Sequence, residues 1–218
     1  MSPVRRARSA RRRGRTRTWV LAVSVALAIA GLLTALYFWY PESSRPSATN
    51  SNPGFAAFTE HYLGVMKSLD SGEVEAEMAA KLDRSCNQTG LFAWEHSKLT
   101  FANDPNGWLE DPVQILNSGC GICVQWSIVY VSACLALGYQ SRLVVAVDTA
   151  SWTYVHVWAE DYYNGTWVHV DPSDGVWNSP SRYLSWDWGK YIGSEIKVYA
   201  FEDGKYSDVT STYSAHAS

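Results

Sequence analysis

The chain has 218 residues, 47% hydrophobic and 18% charged, with a net charge of −3 and four cysteines. That composition excludes a disordered polyelectrolyte, a collagen-like repeat and a disulfide-dense secreted scaffold. Eight arginines (Arg5, Arg6, Arg8, Arg11, Arg12, Arg13, Arg15 and Arg17) open the chain, and the rest carries −11 without them, which argues against a folded region that binds polyanions or lies flat on anionic lipid.

Residues 1–18 are thus a basic segment, and nucleic-acid binding is a poor reading of it because it abuts an apolar run. Trp19 to Tyr40 contain no charge, enough to cross the roughly 30 Å hydrocarbon core as one helix. Tyr37, Phe38, Trp39 and Tyr40 make an aromatic belt at its far end, and the arginines hold the N-terminus in the cytoplasm, placing the remainder of the chain outside. A cleaved signal peptide ending at Ala28-Ile29-Ala30 is the rival, but the apolar run continues ten residues further and favours an uncleaved anchor. Residues 41–53 (PESSRPSATNSNP) read as a linker, 54–213 as one globular domain and 214–218 as a tail.

Phe55 to about Leu82 reads as one or two helices, with Phe55, Phe58, Tyr62, Leu63 and Met66 on one stripe. Residues 83–118 read as loop-rich, with a turn at Asp104-Pro105-Asn106-Gly107. Asn87-Gln88-Thr89 and Asn164-Gly165-Thr166 are glycosylation sequons, the second overlapping a hairpin turn. Val124 to Leu137 has no charged residue and predicts a core helix closed by Gly138. Strands come next, near 141–147, 153–162 and 166–171, then an aromatic loop, then a pair near 195–202 and 206–210. Helices succeeded by an antiparallel sheet predict an α+β domain.

Three phrases carry chemistry: GCGICVQW, HVWAE and WVHVDP. Gly119 and Gly121 place Cys123 in the first helical turn, where unpaired N–H groups and the macrodipole favour a thiolate and can bind an oxyanion. Asn164-Gly165 between two alternating runs predicts a two-residue hairpin turn. In that register Tyr163 faces Thr166, Trp158 faces Asp171, and His156 is the diagonal neighbour of Asp171. Tyr154, His156, Trp158, Glu160, Trp167, His169 and Asp171 then share one face, and Val155, Val157, Ala159, Val168 and Val170 form an apolar other face. Thiol, imidazole and carboxylate are the parts of cysteine-dependent acyl transfer. His169 is a rival base, read rather as a structural histidine because His156 is nearer the aspartate. Trp152, Trp158, Trp167, Trp177, Trp186 and Trp188, with Tyr183 and Tyr191, read as core and sheet packing, with stacking on a sugar or peptide as the sharper alternative.

From about Asp111 to Tyr213 the chain resembles the transglutaminase core superfamily, and within it the core of peptide:N-glycanases. The resemblance rests on DPVQIL, Cys120-Gly121-Ile122-Cys123, Gln125-Trp126, LGYQSRLVV with Arg142, HVWAE, the Asp-Pro of WVHVDP, Trp188-Gly189-Lys190, KVYAFEDG and DVTSTY, in that order. It implies a papain-like arrangement preceded here by one transmembrane helix, with Cys123 as nucleophile, His156 as base and Asp171 as orienter. It also makes Trp94 and Trp108 candidates for a second oxyanion donor, with Gln125, Trp126 and Trp158 as further oxyanion or cleft candidates. Only Cys86 precedes Cys120, so the four-thiolate zinc site of peptide:N-glycanases cannot be assembled.

Cys134 lies about 16 Å along the helix from Cys123, too far to bridge it. Cys86–Cys120 is the favoured disulfide, with a redox-active Cys120–Cys123 pair as rival. The expected activity is amide hydrolysis through a thioester, by a protease or glycan amidase acting on a peptide, protein or glycoprotein. Alternatives are a protein-crosslinking transglutaminase, a catalytically idle binding module, and a thiol–disulfide oxidoreductase using Cys120 and Cys123. The thioester mechanism requires no metal or organic cofactor.

Overall fold

The computed structural model describes residues 52–83, 86–103, 109–202 and 204–214. The basic segment and the apolar run at 19–40 lie outside the described residues, as do the Asp104–Gly107 turn and Trp108. Among the described residues no helix is long and apolar enough to cross a membrane.

Among the described residues four helices precede the central one, and each starts on a side-chain oxygen that accepts a backbone N–H. Asn52 opens α1 (Pro53–Leu69), Ser71 opens α2 (Gly72–Ala79), Asn87 opens α3 (Gln88–His96) and Asp111 opens α4 (Pro112–Ser118). Such caps satisfy N–H groups that a helix cannot pair internally. The expected loop at 83–118 therefore contains two helices. Their signals are a cap at Asn87 and a cap with proline after it at Asp111-Pro112; both helices are too short for their apolar spacing to stand out. Asn87 accepts from the Gly90 N–H at 2.8 Å and the Thr89 hydroxyl at 2.9 Å, so the sequon residue has a capping role.

A short parallel pair, β1 (Thr100–Phe101) with β2 (Cys120–Gly121), leads into α5 (Cys123–Ala136). Every α5 residue through Cys134 is buried, as a helix apolar all round must be. Leu137 and Gly138 end it, Gly138 at φ 80° where a side chain would be strained.

The main sheet is antiparallel, in the order β6-β5-β4-β3-β7-β8. Its strands are β3 (Ser141–Asp148), β4 (Thr153–Tyr163), β5 (Thr166–Asp171), β6 (Val176–Trp177), β7 (Ile196–Glu202) and β8 (Lys205–Asp208). A short helix, α6 (Thr210–Tyr213), begins where the expected final strand would end. The β4–β5 turn has the expected two-residue register, Tyr163 opposite Thr166 and Glu160 opposite His169, with Asn164 at φ 50° and Gly165 at φ 85°.

Both faces of the sheet are covered, and one expectation about them is corrected. One packs on α5, and the other buries Val144, Ala146, Trp158 and Val198 beneath Tyr183, Ile192 and Tyr213. In addition, the register shifts between Ala146 and Val147, with His156 opposite Ala146 and Tyr154 opposite Val147. This bulge exchanges two neighbours: Tyr154 packs with the α5 side and Val155 with the other.

A buried ion pair ties strands together on the far side of the site. Arg142 Nε and a terminal nitrogen reach Glu160 Oε2 at 2.7 and 2.6 Å, with the guanidinium 3.9 Å above the Trp167 ring. Tyr213 donates to the other Glu160 oxygen and accepts from Trp158 Nε1 at 3.0 Å. Both Glu160 oxygens are hydrogen-bonded, the condition under which buried charge is tolerated.

Candidate active site

Cys123 is the first residue of α5. Gly121 permits the chain's tight entry, since a Cβ there would lie 2.5 Å from Cβ of Gln125. The residue before the helix is Ile122, which offers no side-chain acceptor. Gln125 reaches back to accept the Ile122 N–H at 3.1 Å, leaving the first-turn donors beside Cys123 without a side-chain cap. An uncapped helix start beside a thiol is a preformed place for a developing oxyanion.

His156 and Asp171 come from adjacent strands of the hairpin. His156 Nε2 lies 2.6 Å from Asp171 Oδ2, and the Cys123 side chain is the second group that acts on the imidazole. It is thus the group on which both the thiol and the carboxylate act. Burial opposes its cation, but the hydrogen bonds and charges of Asp171 and Cys123 prevail and raise its pKa to about 9. Burial likewise works against the Asp171 carboxylate, yet bonds from His156, Ser173 and Tyr183 and the histidine's charge hold its pKa below the usual value. The remaining oxygen, Oδ1, accepts from the Ser173 hydroxyl at 2.8 Å and the Asp174 N–H at 3.1 Å. Trp158 stacks near the imidazole at 5.8 Å between centroids, and Trp186 meets it edge-on at 5.0 Å, so the ring has little freedom.

Tyr183, which the sequence marks only as one packing aromatic among several, belongs to the site. Its hydroxyl donates to Asp171 Oδ2 at 2.8 Å and lies 2.7 Å from His169 Nε2. Burial pushes the His169 pKa down to about 4, against the partial support of Asp171. No local pattern marks Tyr183, which arrives from a 3-10 turn at Pro180–Ser185. Glu95, also unmarked, is fully buried on α3, its pKa raised by burial and then by the charge of Asp171.

Gln125 is buried at the helix start, with Nε2 donating to the Leu109 carbonyl at 3.5 Å. Trp126 is buried and donates to the Gly121 carbonyl at 3.1 Å, and Trp158 is fully buried. All three are buried, and their amide or indole N–H groups are taken up by the Leu109 and Gly121 carbonyls and the Tyr213 hydroxyl. Trp94 is half-buried on α3 against the α5-side core. An open cavity of about 400 Å³ is instead lined by Phe58, His61, Tyr62, Trp152, Thr153 and Tyr154. Tyr62 and Tyr154, two residues of its lining, lie near enough to Cys123 to interact with it electrostatically. The bulge that turns Tyr154 to the α5 side supplies one of its walls.

The expected disulfide is not formed: all four cysteines are free. Cys86 lies near the far end of α5, where its carbonyl accepts the Tyr139 hydroxyl at 3.2 Å. Cys120 lies just before the start of α5, with Sγ directed at the Asn103 carbonyl. A 14-residue helix separates its ends by about 20 Å, far beyond disulfide reach. Cys134 is buried and hydrogen-bonds Asp161 at 3.8 Å. Among the described residues no cluster of His, Cys, Asp or Glu could hold a metal ion.

An α+β fold with a free thiol at the head of its core helix and a His–Asp pair on the facing hairpin defines a transglutaminase-like core. The model of the transglutaminase-like superfamily matches residues 73–172, which contain all three residues, and that segment belongs to the superfamily. Among curated proteins, the peptide-N(4)-(N-acetyl-beta-glucosaminyl)asparagine amidase of Oryza sativa subsp. japonica is 32% identical over 90 residues, covering 40% of this chain and 19% of that protein. The Macaca fascicularis protein of the same name is 34% identical over 107 residues, covering 48% of this chain and 15% of its own length. The chain thus spans less than a fifth of either relative. In structure, a chain of Rad4–Rad23 bound to a 6-4 photoproduct UV lesion aligns with TM-score 0.51 and 11% identity, over 74% of this chain and 48% of that one; the likeness is one of fold.

Proposed function

We propose that the chain is a cysteine-dependent amide hydrolase anchored in a membrane by residues 19–40, with its catalytic domain on the extracytoplasmic side. The observation that carries the reading is the imidazole of His156 hydrogen-bonded to Asp171 and interacting with Cys123 at an uncapped helix start. The amidase names of the curated relatives support hydrolysis of a peptide or glycopeptide amide, and the charge-free run and arginine block support the anchor.

In this reading Cys123 Sγ attacks the amide carbonyl carbon and the first-turn N–H groups of α5 receive the charge on oxygen. With a pKa of about 9, His156 holds a proton at neutral pH, and this proton passes to the leaving nitrogen as the C–N bond breaks. The thioester is then attacked by water, whose proton His156 accepts. Asp171 keeps Nε2 protonated and directs the other ring nitrogen at the sulfur.

The test is incubation of the full chain with glutaminyl peptides and asparagine-linked glycopeptides, with Cys123→Ala in parallel. Release of ammonia or glycosylamine with a trappable mass adduct on Cys123 supports the hydrolase. Amine incorporation in place of hydrolysis identifies a crosslinking enzyme, and undiminished cleavage by Cys123→Ala removes the assignment. Protease accessibility of the 54–213 region in intact cells checks the orientation; protection overturns it.

A further inference from the structure

We propose that Tyr183 and His169 are positioning residues, which hold Asp171 against His156 through hydrogen bonds whose donors all run one way. The inference rests on the assignment of His156 and Asp171 as the catalytic pair.

The direction of each bond is set by its neighbour. The Ser179 backbone N–H points at His169 Nδ1 at 3.3 Å. A backbone N–H can only donate, so Nδ1 is the acceptor nitrogen and the neutral ring carries its proton on Nε2. That proton is directed at the Tyr183 oxygen, 2.7 Å away. Once the Tyr183 oxygen accepts, its own proton is directed to the carboxylate of Asp171 at 2.8 Å. Asp171 Oδ2 therefore receives two donors, Tyr183 and His156, while Oδ1 receives Ser173 and Asp174. Four donors fix both the position and the plane of the carboxylate. Aligned hydrogen bonds polarise one another in a water-poor site.

The links are sealed from solvent: His169 is 3% exposed, Tyr183 and Asp171 0%. The titratable groups acting there come from every surrounding element. Asp171 faces His156 from the site and Glu95 from α3, and Cys123 acts on His156. Tyr183 faces Asp174 and Tyr213; His169 faces Asp174 and His156; Arg182 faces Asp174 and Asp171. Burial keeps His169 uncharged at neutral pH, so it imposes direction on Tyr183 without placing a second cation beside the pair.

The test combines carbon-13 titration of the Asp171 carboxyl with nitrogen-15 assignment of the His169 tautomer in the full chain. It covers wild type, Tyr183→Phe, His169→Leu and His169→Gln. Removing the tyrosine donor should raise the Asp171 midpoint by about one unit and lower kcat roughly tenfold with KM little changed. His169→Leu should reproduce this, and His169→Gln, whose amide can donate to Tyr183, should recover most of it. An unchanged Asp171 midpoint in Tyr183→Phe, or His169 protonated on Nδ1, overturns the proposal. If His169→Leu does not fold, the near-isosteric Tyr183→Phe decides. A wild-type chain that never acylates Cys123 refutes the hydrolase instead, while the Asp171 midpoint still tests the positioning role.

Discussion

The hairpin carries two histidines in nearly the same local sequence, Val-His-Val on β4 and Val-His-Val on β5. Both are buried and both belong to the hydrogen-bond network of Asp171, yet one is held near pKa 9 and the other near 4. His156 touches the carboxylate directly and also interacts with the Cys123 side chain. His169 meets it only through a neutral tyrosine, so burial dominates. A single bridging hydroxyl separates a histidine held protonated at neutral pH from one held neutral. Burial discourages charge at both sites, and direct contact with an opposite charge decides the outcome.

That contrast can be broken most sharply by exchange for inert residues. His156→Ala should lower amide cleavage by about 10³-fold or more, measured as kcat/KM, whereas His169→Gln should stay within about tenfold. Equal losses would show that the two rings act as one unit.

Acid stability separates them next. His169 is neutral in the fold down to about pH 4, while an unfolded histidine binds a proton near 6.5. The unfolded state therefore holds more protons between those values, and stability should fall as pH drops from about 6.5 to 4, by on the order of 3 kcal/mol. Denaturant unfolding across that window should show the slope in wild type and a flatter one in His169→Gln.

At alkaline pH the sign reverses. The His156 value is raised, so its stabilising pairing is complete below about pH 6.5 and disappears as pH rises through about 9. Cleavage should decline over the same limb, because the leaving nitrogen loses its proton donor. A rate still climbing at pH 10 would contradict the assigned role.

The smallest effect concerns the uncapped helix. Ile122→Asn should add a cap to α5 and about 1 kcal/mol of stability, read by Tm, while lowering cleavage by closing donors needed for the oxyanion. A stabilised variant with full activity would show that those donors are not used.

The Cys123 position, the β4–β5 turn and the His156–Asp171 pairing are legible in the chain because each depends on neighbours in sequence: glycines before a charge-free helix, Asn-Gly between alternating runs, and strand periodicity. The α3 and α4 helices escape such a reading because caps alone, without length, give weak periodicity. Tyr154 lies on the face opposite to its expected one because an alternating pattern has no mark for a bulge. Gln125, Trp126 and Trp158 are marked by the company they keep in sequence, and their burial is decided by tertiary packing.

Local sequence is sufficient for the order of chemistry-bearing groups, the helix that carries the thiol and the hairpin that carries imidazole and carboxylate, because propensity and periodicity act over a few residues. Folding is needed to join Tyr183 to His169 and Asp171, to set Cys86 and Cys120 at opposite ends of α5, and to open the cleft beside Tyr154. Those relations join residues distant in the chain, and their energies arise only once burial and geometry bring the groups together.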